Sequence, residues 1–201
     1  RSQLPIYEKA YKCLQAFCLG AKPEAPIPVW IFARISGYNS VQGMVQTPDE
    51  MVPLVGQMYY ARHSGSIGAA FKFTQPPAVA TYKDQNKLYQ YLFGCHGLGE
   101  AFIWNVGGIE RLNDFWFLLG PGHYYGITQC EQCPFNVNWM SQLLRDQCLP
   151  VSTLVGIREL SDNPHFNDRF YAQSALLIYM LLKDPRYAEK FEKARAEIFK
   201  S

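Results

Sequence analysis

The sequence predicts an α+β fold in one domain: an opening helix laid on a small sheet over about residues 1–84, then a helical half over about 85–201. Three observations predict it. Apolar residues recur at three- and four-residue spacing near the start, short β-branched and aromatic runs bounded by turn residues follow, and helical periodicity takes over from Gln85. No repeat, low-complexity tract or long linker divides the chain, so its 201 residues read as one unit.

The opening segment LPIYEKAYKCLQAFCLG places Leu4, Tyr7, Tyr11, Leu14 and Cys18 on one helical face and stops at Gly20. After the Pro-rich turn AKPEAPIP comes VWIFAR, a run of the kind found in a buried strand. The start Thr47-Pro48-Asp49-Glu50 then has the residues of a helix N-terminus and precedes a short apolar helix. GAAFKF and AVATYKD predict two more strands, separated by the turn Gln75-Pro76-Pro77. Beyond Gln85, Leu88, Leu92, Cys95 and Phe102 follow one helical face up to Gly107-Gly108. Further helices are expected around Asn136–Arg145, Asp168–Lys183 and Pro185–Lys200.

Composition narrows the function. Hydrophobic residues make up 48% of the chain and charged residues 18%, enough apolar surface for a packed core and too little charge for a disordered chain. A net charge of +2, with Lys and Arg scattered, gives no electrostatic footprint for nucleic acid. The longest strongly apolar run, Ala175 to Leu182, is far short of the roughly 20 residues that span a bilayer, so no membrane span is expected. No GxSxG elbow supports a serine hydrolase, and the glycines at 94, 97, 99, 107 and 108 form neither a phosphate loop nor a dinucleotide fingerprint.

The chain opens at Arg1 without methionine or an apolar leader, which is compatible with a removed targeting segment. Six cysteines, an even number, suit an oxidising compartment, and export is the expectation. Cys130 and Cys133 form a CxxC pair with no second ligand pair at similar spacing, which points to disulfides or buried thiols rather than zinc. His63 and His165 read as ordinary surface residues, His165 in a turn.

The stretch FGCHGLGEAFIWNVGG carries the chemistry. His96 and Glu100 are four apart, so on a helix they share a face and can grip one ion or hydrogen-bond to each other. The glycines between and beside them indicate a helix pressed closely against a neighbour. His123 lies in FLLGPGHYYG, where Pro121 and Gly122 oppose a regular helix.

The order PVWIFARISGYNSV, GAAFKF, ATYKD, the His96 helix, FLLGPGHYYG and STLVGIRELSDNPHFNDRFYAQSALLIYMLL resembles the gluzincin metallopeptidases, in particular peptidase MA-like domains. The resemblance covers nearly the whole chain and implies a zincin-like fold. It also implies a zinc helix reading HExxH, whose glutamate takes a proton from metal-bound water. Here those five residues are His96-Gly97-Leu98-Gly99-Glu100, with glycine at the base position and glutamate at the second ligand position. The third-ligand position aligns with Leu119, which cannot bind metal. His123, one helical turn further on, restores a set of two histidines and one carboxylate (His96, Glu100, His123) for zinc or another divalent metal.

With the base lost, the expectation is a catalytically diverged domain, with no cofactor required, that keeps a cleft for a peptide or protein partner. That cleft would be walled by Trp104, Trp116, Tyr124 and Tyr125, with Tyr171 in the position from which the family stabilises an oxyanion. The alternative is a metal-dependent hydrolase with the rearranged His96, Glu100 and His123 site.

Overall fold

The structure, a computed structural model, describes residues 4–24, 26–34, 36, 68–71, 78–82, 87–107, 114–128, 148–158, 161 and 163–199. Helix α1 spans Leu4–Phe17 and is followed by strands β1 (Val29–Phe32), β2 (Gly68–Phe71) and β3 (Ala78–Tyr82). Helices α2 (Lys87–Gly107), α3 (Phe115–Thr128), α4 (Val151–Gly156), α5 (Pro164–Lys183) and α6 (Pro185–Phe199) complete the order.

The α+β, zincin-like expectation is overturned. About three quarters of the described residues are helical. The buried hydrophobic side chains of α1, its closing turn and α2 to α6 form one core cluster. The strands are four or five residues long, in the order β1-β3-β2, with β1 parallel and β2 antiparallel to β3. Only Val29 and Phe32 of β1 pack against the core, while Trp30 and Ile31 are exposed. The short runs were legible as strands, but nothing local to them says which element supplies the core.

The opening helix also sits elsewhere than expected. It packs on α2 and α3 rather than on the strands, and α2 is the helix that meets β2 and β3. Its buried face is Tyr7, Ala10, Leu14 and Phe17, the three-to-four spacing of an amphipathic helix. The end of α1 is a Schellman turn: the Gly20 amide donates to Gln15 O at 2.8 Å and the Leu19 amide to Ala16 O at 3.1 Å. Leu19 takes the left-handed conformation there, with φ of 56°. The Phe17 carbonyl, orphaned at the helix end, accepts a bond of 2.6 Å from Arg195 Nη1 of α6. The Arg195 guanidinium lies 5.1 Å and 5.4 Å from the Phe17 and Phe191 ring centroids, which ties α6 to the core beside its buried Phe191 and Phe199.

Helix α3 continues unbroken through Pro121 and Gly122, so the obstacle expected from those residues does not end it. It forms the most extensive contact in the described structure with α2, and next with α5. Proline opens both α5 and α6, where a missing amide hydrogen costs nothing. Asp184 caps α6 by accepting the Arg186 amide at 2.9 Å; the Arg186 side chain bonded to it holds its carboxyl down at about 2. His165 falls in the first turn of α5 rather than in a loop turn. The expected helices at Thr47–Glu50 and Asn136–Arg145, together with His63, Cys130 and Cys133, lie outside the described residues. No helix among the described residues is long and apolar enough to cross a membrane.

Candidate functional site

The site lies where α2, α3 and α5 meet. Residues His96, Gly99, Glu100 and Ile103 recur on one face of α2, and that face is set against α3 through glycine. A Cβ added at Gly122 would stand 2.6 Å from the His96 carbonyl oxygen and 3.1 Å from Gly99 Cα; one added at Gly99 would meet the Gly122 backbone closer still. Backbone therefore touches backbone, a separation that residues with side chains do not allow. That approach brings His123, next to Gly122, against His96.

The two imidazoles face each other with their Nδ1 atoms 3.1 Å apart, so one donates a hydrogen bond to the other. The other nitrogen of His96, Nε2, lies 3.7 Å from Glu100 Oε2. Tyr171 of α5 stacks on the His123 ring, with centroids 5.2 Å apart and planes 17° apart, and meets the His96 ring edge-on at 5.1 Å. All three polar groups are sealed: His96 is 4%, Glu100 1% and His123 6% exposed.

Burial sets their charge. Removed from water, Glu100 holds its proton well above the usual carboxylate range, and His123 is pushed down to about 4, so its imidazole is neutral near pH 7. Glu100 Oε2 has no hydrogen-bond partner. At 3.7 Å it is beyond hydrogen-bond length from His96, although it lies in the direction of Nε2.

His96, Glu100 and His123 thus lie side by side, but His96 turns one nitrogen to each neighbour. Glu100 and His123 stand on opposite sides of its ring, so the three side chains do not converge on a point where one ion could touch all of them. Among the described residues no group of three or more His, Cys, Asp or Glu side chains is so placed. The three-ligand set implied by the resemblance does not fit this arrangement. Leu119 is buried in the core at 1% exposure, as its apolar side chain requires.

The aromatic residues expected to wall one cleft are dispersed. Trp116 and Tyr125 are nine residues apart on α3, which places them on opposite sides of it. Tyr125 packs on Phe17, Tyr124 on Tyr125 and Tyr179, and Trp116 on Phe117. Trp104 lies one turn beyond Glu100, partly buried against the core. Tyr171 joins the histidines.

Two residues that support this region carried no sequence signal of that role. The buried Gln173 side chain accepts the Leu149 amide at 2.9 Å and donates to the Leu149 carbonyl at 2.5 Å. Asn167 does the same to Ser161, at 2.9 and 2.7 Å. Both clamps fasten incoming chain to α5, the helix that carries Tyr171. An amide on a helical face is the only hint of them in the sequence, and it does not name the distant backbone it will hold.

Comparison with protein-family models, with curated proteins and with solved structures finds no match for this chain. The likeness to gluzincins rests on the quoted segments alone.

Proposed function

We propose that this chain is a non-hydrolytic binding domain for a peptide or protein segment. The observation that carries the reading is the exposed apolar pair Trp30 (40%) and Ile31 (37%) on β1, which among the described residues ends the strand order β1-β3-β2. A terminal strand with apolar side chains outward suits an extended segment, whose main chain would pair with the strand while its side chains meet Trp30 and Ile31. The internal cluster argues against ordinary hydrolysis. Gly97 has no proton to exchange, His96 and His123 are bonded to each other, and Glu100 is sealed beside them beneath the surface.

Panning the protein against a library of extended peptides tests the reading, with binders retested on Ile31→Asp. Peptides bound by the parent and lost by the variant are the expected result. The absence of any binder, or binders indifferent to the substitution, overturns it.

A second reading is a metal-dependent hydrolase, favoured by the two histidine nitrogens 3.1 Å apart with a carboxyl beside them. It requires turnover of a peptide substrate that His96→Ala abolishes together with metal content. An unchanged rate in that variant refutes it.

A further inference from the structure

We draw no further inference here: the strongest candidate, the surface patch that Tyr179 and Met180 of α5 form beside Tyr124 of α3, is an exposed apolar face, and nothing in the structure shows what covers it.

Discussion

Gly122→Ala sets two effects of opposite sign against each other. Alanine in place of glycine inside a helix raises intrinsic helix stability by about 1 kcal/mol. The new methyl, however, would stand 2.6 Å from the His96 carbonyl oxygen, 3.1 Å from Gly99 Cα and 3.3 Å from His96 Cα, all of it backbone that cannot rotate aside. Relaxing the closest of these to an ordinary separation of about 3.4 Å parts α2 from α3 by about 0.8 Å. A gap of that size forfeits a quarter to a half of the dispersion attraction between the facing atoms. The α2–α3 contact is the most extensive in the described structure, so the loss is on the order of 3 kcal/mol, within the range of core overpacking. The net expectation is destabilisation by about 2 kcal/mol, or a fall in Tm of about 4–8 °C for a chain of this length. The midpoint of guanidinium unfolding, with the slope unchanged, reads it out. A variant about 1 kcal/mol more stable than the parent would show that helix propensity dominates and that α2 and α3 are not in backbone contact. The same 0.8 Å would widen the Nδ1 pair beyond hydrogen-bond length.

Three further outcomes follow from other parts of the structure. Gln173→Leu leaves the Leu149 amide and carbonyl without their clamp, and should cost about 1–3 kcal/mol in denaturant unfolding; an unmoved midpoint would mean that water replaces the side chain at no cost. Leu19→Gly relieves a left-handed residue whose side chain is 42% exposed, so α1 should gain about 0.5–1 kcal/mol, and a loss of stability would refute the strain argument. The pH dependence separates the two buried groups. His123 is depressed from 6.5 to about 4, so between those values the unfolded chain binds the extra proton, and this group's contribution to stability is lost as pH falls. Glu100 is raised, so above 4.5 the folded chain keeps the extra proton, and its contribution is lost as pH rises. The two slopes oppose as pH rises above about 4.5. Glu100→Gln should therefore unmask a rise of stability with pH of about one proton, roughly 1.4 kcal/mol per pH unit, in place of the flatter parent profile. Equal slopes in parent and variant would exclude a buried neutral carboxyl.

What the sequence determined by itself was local. The apolar spacing of Tyr7, Leu14 and Cys18 is a property of one stretch of chain, and so is the four-residue separation that puts His96 and Glu100 on one helical face. Prolines at the first positions of α5 and α6 mark those starts for the same reason, since the cost of a missing amide depends only on position within the helix. The class of fold was not local. Three short runs are strands, yet about three quarters of the described residues are helical, and a strand's own sequence cannot say how much helix the rest of the chain sets around it. Only the tertiary structure decided that Gly99 and Gly122 touch, that His123 thereby reaches His96 across two helices, and that Glu100 faces the opposite nitrogen of the same ring. It also set Trp116 on the opposite side of α3 from Tyr125, although the two lie on one short helix. The physical reason is the same throughout: periodicity fixes which residues share a face, whereas the partner of that face, and the rotation of a side chain within it, depend on how closely two backbones can approach.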